Sequence, residues 1–266
     1  MFEQEKQKWD KLKTVRDFFE FIEDPEVDAA GYFMKLCDLK KRSSWVSARI
    51  DFDYDATEIL KGEPQIRANE ISNTTRTPYE IKNHHQKYGF TNGYERYKIN
   101  DVMIKIVEAL GFEEGYSAYV NNQPPGIMMY RHCDFGMCYQ YEQIARAQAD
   151  KGAKLKEHGG VLMENENILD MEFDKELRQP KGLKPLWRCL VALDDWHEGQ
   201  LLNWEPGLWK NFKKGDVLFW DFRHTPHSTA NTGVHDRPLL KITGTIKDDS
   251  YILEARDKNI INNIKI

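Results

Sequence analysis

The second half of the chain consists of short runs of β-branched and aromatic residues separated by turn-forming residues. Asn122–Gly126 contains two prolines, which cannot lie inside a central strand, and Asn231 and Gly233 tolerate turn geometry. The predicted strands are Tyr116–Val120, Ile127–Asp134, Trp187–Leu193, Gln200–Trp204, Val217–Phe222 and Arg237–Thr245. The pattern predicts a mainly β protein with flanking helices, built on a double-stranded β-helix (jelly-roll, cupin-like) core. Such a barrel can leave a pocket at one mouth.

The first half has a different pattern, which predicts a helical and mixed scaffold. Apolar residues at helical spacing predict one amphipathic helix over Gln4–Glu23, a second from Pro25 to Lys40 and a third over Ile99–Leu110. Ser44–Tyr54 is predicted as a strand, and Lys61–Tyr97 has no clear pattern. We therefore expect one domain over residues 1–266. Its parts are a scaffold over 1–115, a β core over 116–246 with an insertion at 137–185, and a tail over 247–266.

Three residues of the predicted β core have the chemistry of metal ligands. His132 and Asp134 are two residues apart, so on a strand both project from the same face. His227 follows another strand and is the best candidate for a third ligand. Two imidazoles and one carboxylate would occupy one side of a metal ion and leave the other positions open. This arrangement suits non-haem Fe(II) that binds an organic co-substrate and O₂.

Arg237 follows the third candidate ligand on what the sequence predicts to be the return strand of a hairpin. The turn would lie at 231–233, so Arg237 is expected beside His227 and pointing into the same cavity. A guanidinium there can clamp a carboxylate through two parallel hydrogen bonds.

At this point the chain resembles the Fe(II)/2-oxoglutarate-dependent dioxygenases, in particular their prolyl 4-hydroxylase-like branch. The resemblance covers roughly residues 116–246 and rests on His-x-Asp, a long gap, His, and an Arg ten residues later. It implies that His132, Asp134 and His227 bind Fe(II) and that Arg237 binds the distal carboxylate of 2-oxoglutarate. O₂ would be the oxidant and ascorbate a possible reductant. The implied activity is hydroxylation with release of succinate and CO₂, with no catalytic residue beyond the metal centre.

The sequence departs from that branch at two positions that usually help to bind 2-oxoglutarate. Met129 stands where a Tyr is usual, and Leu239 where a Ser or Thr is common. Tyr130 shares strand parity with His132 and Asp134, so it is the predicted substitute partner of 2-oxoglutarate.

Other interpretations of these residues remain open. His224 competes with His227 as the third ligand, although its spacing to Arg237 is longer, and His235 is expected to be exposed in the turn. The protein could also be a cupin-like metal enzyme that is not an oxygenase, or a binding protein with a structural metal. Neither would need Arg237. Arg188 could contact a substrate carboxylate, but a salt bridge is the commoner role for such a residue.

The insertion at 137–185 should leave the sheet directly after Asp134. Its first part, Cys138–Lys156, is predicted to be helical, and its later part, Glu164–Glu176, is acidic with interspersed apolar residues. It is either a lid over the metal or a solvated loop with a few buried anchors. A lid of this charge would favour a cationic substrate, which we expect to be a small molecule or an amino-acid or peptide side chain.

Composition and charge limit the remaining possibilities. A net charge of -5 without a Lys/Arg block makes nucleic acid an unlikely partner. The four cysteines lack disulfide or zinc spacing, which suits reduced thiols in the cytoplasm. The sequence shows no signal peptide and no apolar stretch that could span a bilayer, so no membrane association is expected.

Overall fold

The computed structural model describes residues 2–40, 45–65, 91–92, 94–134, 167–205, 207–220, 222–252 and 262–265. The helices are α1 (Glu3–Lys11), α2 (Val15–Glu23), α3 (Ala29–Lys40), α4 (Thr57–Leu60) and α5 (Asp101–Ala109), with a 3₁₀ turn at Ile168–Asp170. The strands are β1 (Trp45–Asp51), β2 (Thr91–Asn92), β3 (Glu95–Tyr97), β4 (Ser117–Asn122), β5 (Ile127–His132), β6 (Phe173–Asp174), β7 (Gln179–Pro180), β8 (Trp187–Ala192), β9 (Gln200–Trp204), β10 (Gly207–Leu208), β11 (Asp216–Trp220), β12 (His227–Asn231), β13 (Pro238–Gly244) and β14 (Asn262–Lys265).

Two sheets form the centre of the described fold. One has the order β14-β1-β11-β8-β13-β4-β3 and the other has the order β10-β9-β12-β5-β2. Eight strands pair antiparallel in a nested fashion: β4 with β13, β5 with β12, β8 with β11, and β9 with β10. A jelly roll is a long hairpin rolled up so that its successive strand pairs alternate between two sheets. The nested pairs have this arrangement. The predicted double-stranded β-helix core is therefore confirmed.

The seven-stranded sheet separates two apolar clusters. On β13, Leu240 and Ile242 face α5 and pack with Ile106, whereas Leu239 belongs to the cluster that reaches the barrel interior and the N-terminal helices. This alternation follows from the period of two along a strand. It leaves the inner face of β13 available for a site.

The N-terminal region contains two helices where one was predicted over residues 4–23. Helix α1 ends at Lys11, and Leu12 is extended. The hydroxyl of Thr14 accepts a hydrogen bond from the Asp17 N–H, and the Asp17 carboxylate accepts one from the Thr14 N–H, which starts α2 as a capping box. The apolar spacing alone could not show this break. Helix α3 likewise starts at Ala29 and not at Pro25.

The predicted hairpin between His227 and Arg237 is wrong. Strand β12 belongs to the five-stranded sheet and β13 to the seven-stranded sheet, so residues 232–237 cross between sheets and do not turn back on one strand. Asn and Gly occur in connections between two sheets as well as in tight turns. The local sequence therefore could not distinguish a crossing from a hairpin.

Part of the predicted insertion can be compared with the structure. The predicted helix over Cys138–Lys156 lies outside the described residues, as do Glu164–Glu166. From Asn167 onward the segment packs against the N-terminal helices: Met171 accepts a backbone hydrogen bond from Val15, and Phe173 donates one to Lys13. Ile168 is fully buried there. This described part is anchored to the N-terminal helices.

No helix in the described part of the chain has the length and apolar character needed to cross a bilayer.

Candidate metal centre

The structure brings His132, Asp134 and His227 together at one end of the barrel. His132 closes β5, His227 opens β12, and the two residues are paired across the ladder. Asp134 lies two residues beyond β5, where its backbone N–H donates to the Phe222 carbonyl at 3.2 Å. One potential ligand atom from each side chain lies within 4.8 Å of the other two. Among the described residues, no other three His, Cys, Asp or Glu side chains are grouped this tightly.

The His227 ring is held in the state that a metal ligand needs. The Trp204 indole stacks on it at 5.5 Å, and Nδ1 lies 3.1 Å from the Thr225 carbonyl oxygen. Burial, with the nearby His132, lowers the pKa of His227 to about 3. The ring is therefore neutral at physiological pH. With Nδ1–H donating to Thr225, the Nε2 lone pair is left to bind a metal.

Asp134 is ionised because of its neighbours. Burial alone would raise its pKa, but the Arg188 guanidinium and, more weakly, Lys241 outweigh burial and hold the pKa well below its usual range. Arg188 forms an ion pair with Asp134 Oδ2, and its Nε donates to Thr243 Oγ1 at 3.0 Å. Its guanidinium also lies 4.1 Å from the centre of the Phe222 ring. The salt-bridge interpretation of Arg188 therefore agrees with the structure.

Arg237 lies in the same cavity and is buried. Its Nη1 donates to the carbonyls of Leu201 and Ala230, both at 3.2 Å, and its Nη2 donates to Gln123 Oε1. Its Nε is buried and has no hydrogen-bond partner among the described residues. Burial lowers the pKa of Arg237 to about 9. No ion pair involves Arg237 within the described part of the chain, so an incoming carboxylate would supply both an acceptor and the missing charge.

Sequence reasoning missed Gln123 and Lys241. Gln123 contacts Arg237 directly, whereas the side chain of Tyr130, the predicted partner of 2-oxoglutarate, lies outside the described part of the structure. Lys241 lines the cavity and shares strand parity with Leu239 on β13. Parity counted forward from Arg237 could have found Lys241, but no local signal points to Gln123.

The rival and neighbouring residues lie elsewhere. His224 is buried, but its Nε2 lies 2.6 Å from the Glu176 carbonyl oxygen and is not part of the group of three. His235 is exposed, and its ring stacks on His197 at 4.2 Å. Cys133, between two candidate ligands, is buried in the apolar cluster next to the N-terminal helices, as strand parity requires.

The cavity has a volume of about 70 Å³. Its walls include Leu190, Leu202, Trp204 and Trp220. Apolar walls with a few convergent polar groups are typical of a site for a small molecule.

Comparison with known proteins gives structural likeness only. No protein-family model matches the sequence, and no curated protein matches it. A prolyl-4-hydroxylase from Pseudomonas putida aligns over 80% of this chain and 98% of its own, with 11% identity and a TM-score of 0.42. The non-haem α-ketoglutarate-dependent carbocyclase SnoK from nogalamycin biosynthesis aligns over 87% and 92%, with 12% identity and a TM-score of 0.37. The viral collagen prolyl hydroxylase vCPH of Paramecium Bursaria Chlorella virus-1 aligns over 54% and 65%, with 15% identity and a TM-score of 0.27. At these values, function must be judged from the site itself.

Proposed function

We propose that this protein is an Fe(II)- and 2-oxoglutarate-dependent oxygenase that hydroxylates a small molecule or an amino-acid side chain. One observation carries the proposal: both histidines of a two-His, one-carboxylate group line the same cavity as the buried Arg237, which has no acidic partner among the described residues. A metal group alone would suit many enzymes. A buried cation beside it suits a co-substrate that has a second carboxylate.

The donor set fits Fe(II). His132 and His227 would supply neutral nitrogen ligands and Asp134 an anionic oxygen, all from one side. Iron, 2-oxoglutarate and O₂ together would supply the oxidising chemistry, with succinate and CO₂ as coproducts.

The residues around the site would orient the metal ligands, hold the co-substrate by its charge and limit the access of water. Arg188 holds Asp134 as a carboxylate, and Thr225 fixes the tautomer of His227. Arg237 would hold the distal carboxylate of 2-oxoglutarate, with Gln123 keeping the guanidinium in place. Trp204 and Trp220 form an apolar wall against His227, which limits the access of water.

Two other candidate functions are less well supported. A cupin-like metal enzyme of another class would use the same three ligands, and a binding protein could use the metal as a structural element. Neither gives a reason for burying Arg237 at the cost of an unpaired charge.

The test is the visible charge-transfer absorption that Fe(II) and 2-oxoglutarate develop together without O₂. We expect the band in the wild type and in His235→Ala, which removes an exposed histidine, and no band in His132→Ala. Replacing Arg237 with Met should raise the 2-oxoglutarate concentration for half-saturation by about 10- to 100-fold, as expected for one charge-assisted hydrogen-bond pair. Bound metal without a band in the wild type would contradict the proposal.

A further inference from the structure

We infer that Lys241 forms a second anion-binding subsite in this cavity, near the Arg188–Asp134 ion pair, and that the substrate carries a carboxylate or a similar oxyanion. The inference rests on the proposed function, since it assigns the substrate class of the same site. It concerns a different charge from the one that Arg237 would bind.

Lys241 is placed to meet a ligand in the cavity. It lines the same space as His132 and His227. On β13 it pairs with Tyr119 on one side and with Leu190 on the other. It follows Arg237 by four residues, which on a strand is roughly 13 Å and the same face. The two cations therefore belong to different parts of one cavity.

The surroundings of these two cations differ. Arg237 donates to the carbonyls of Leu201 and Ala230 and to Gln123. Lys241 instead lies within the electrostatic reach of Arg188 and Asp134. A single dicarboxylate whose distal end is held at Arg237 leaves Lys241 for another anion.

Lys241 has no direct partner of its own in the described structure. No hydrogen bond or ion pair to its ammonium group occurs among the described residues, although it is only partly exposed. Burial and the nearby Arg188 lower its pKa, against the opposing effect of Asp134. A half-buried cation beside Arg188 costs free energy unless an anion joins it. A ligand carboxylate would remove that cost.

The charge balance around the metal centre is positive. Arg237 and Lys241 line the cavity and carry two positive charges. The nearby Arg188 and Asp134 form an ion pair and cancel each other's charge. None of the described residues that line the cavity is Asp or Glu. Fe(II) and 2-oxoglutarate have opposite charges of equal size, so binding both would leave the net positive charge of the cavity unchanged. A cationic substrate would be repelled, and an anionic one attracted.

The acidic segment that suggested a cationic substrate does not alter this balance where it is described. Asp170 pairs with Arg16 at 2.8 Å, and Glu172 pairs with Lys181 at 2.6 Å. Both acidic residues belong to the part that packs on the N-terminal helices, and neither lines the cavity.

The experiment uses full-length protein and small probes that differ only in charge. Acetate and propionate are compared with acetamide and propionamide at constant ionic strength. Their effects are measured on the charge-transfer band of the anaerobic Fe(II)–2-oxoglutarate complex and, without iron, on Tm. The variants are Lys241→Met, Lys241→Arg to retain the cation, and Lys213→Met as an exposed-lysine control.

We expect the carboxylates, and not the amides, to shift the wild-type band and raise Tm. Lys241→Met should raise the carboxylate concentration that gives half of the full shift at least tenfold. Lys241→Arg, which retains the cation, should respond to carboxylates nearly as well as the wild type. Lys213→Met should match the wild type. Half-saturation by 2-oxoglutarate should change less than threefold in Lys241→Met.

Two results would overturn the inference. Equal effects of carboxylates and amides on the band and the Tm of the wild type would show that the cavity has no second anion-binding subsite. A tenfold or greater loss of 2-oxoglutarate affinity in Lys241→Met would assign Lys241 to the co-substrate. Failure of the proposed function is a separate result, because the band would then be absent while the Tm shifts still report on Lys241.

Discussion

At the scale of single residues, the burial of Arg237 determines what the cavity can bind. Its guanidinium touches carbonyl oxygens and the Gln123 amide, but no carboxylate among the described residues. Neutral acceptors leave the positive charge uncompensated in a poorly hydrated space. The affinity of the cavity for a dicarboxylate should therefore fall if the protein itself places a negative charge beside Arg237.

Gln123→Glu tests this dependence, because it changes charge with almost no change of shape. A glutamate at this position would pair with Arg237 and compete with the distal carboxylate of 2-oxoglutarate. We expect half-saturation by 2-oxoglutarate to rise about tenfold or more, equivalent to about 1.4 kcal/mol, while Tm rises. The anaerobic charge-transfer titration and thermal unfolding measure the two effects.

Gln123→Met is the matched control for that variant, since it removes the amide without adding charge. It should weaken 2-oxoglutarate binding less than Gln123→Glu and should lower Tm. Tighter binding of 2-oxoglutarate in Gln123→Glu would show that Arg237 is not its partner.

At the scale of elements, the start of α2 depends on one carboxylate. Asp17 accepts hydrogen bonds from the backbone N–H groups of Lys13 and Thr14, at 2.8 and 2.9 Å, which hold its pKa below the usual range. A depressed carboxyl pKa contributes stability above the unfolded-state pKa near 4 and loses it as pH falls through the folded-state value.

Asp17→Asn should therefore lower the free energy of unfolding by about 0.5–1 kcal/mol at pH 7, the usual size of a capping interaction. The difference from wild type should begin to shrink below about pH 4 and should disappear as pH falls through the depressed folded-state pKa of Asp17. Urea unfolding at pH 7 and pH 3.5 measures it, with Glu20→Gln on the exposed side of α2 as the control. A difference that is the same at both pH values would contradict the role of the charge.

The approach of β1 to the loop before β11 requires glycine at position 215. Gly215 has φ +90°, and a Cβ there would lie 2.1 Å from the Ile50 carbonyl oxygen. Gly182 has a similar φ of +84°, but a Cβ there would meet nothing within 4 Å. Substituting Gly182 and Gly215 in turn therefore distinguishes the cost of backbone strain from the cost of steric collision.

Gly182→Ala should cost about 1–2 kcal/mol, the strain of a left-handed conformation alone. Gly215→Ala should cost about 1–3 kcal/mol more, because β1 must move away from the loop. Equilibrium urea unfolding of the two variants gives the comparison. Equal losses would mean that β1 adapts without cost.

The sequence allowed prediction of most of the β core and of the three residues that the structure gathers at the candidate metal centre. His132 and Asp134 could be found because a spacing of two fixes a common face of a strand. The hairpin at His227 could not be judged correctly, since the same Asn and Gly serve a turn or a crossing between sheets. Gln123 reaches Arg237 from 114 residues away in the chain, and no local pattern encodes a contact of that separation.

At the scale of the whole molecule, the two sheets contribute different parts of the site. His132 and His227 belong to the five-stranded sheet, whereas Arg237 directly precedes β13 of the seven-stranded sheet. A metal ion alone would bind at the end of the five-stranded sheet and at Asp134. A co-substrate that contacts both the metal and Arg237 would connect the two sheets, so its stabilisation of the folded molecule should depend on both the metal and Arg237.

Mn(II), which has the same charge as Fe(II) and resists oxidation by air, allows this stabilisation to be measured by urea unfolding. With Mn(II) present, 2-oxoglutarate at 100 times its dissociation constant should add about 2.7 kcal/mol to the free energy of unfolding. At the same concentration, 2-oxobutyrate, which has the keto acid but no distal carboxylate, should add much less, because it cannot reach Arg237. A chelator should abolish most of the gain. Equal stabilisation by both acids would mean that Arg237 takes no part in binding, and that the connection between the two sheets does not form.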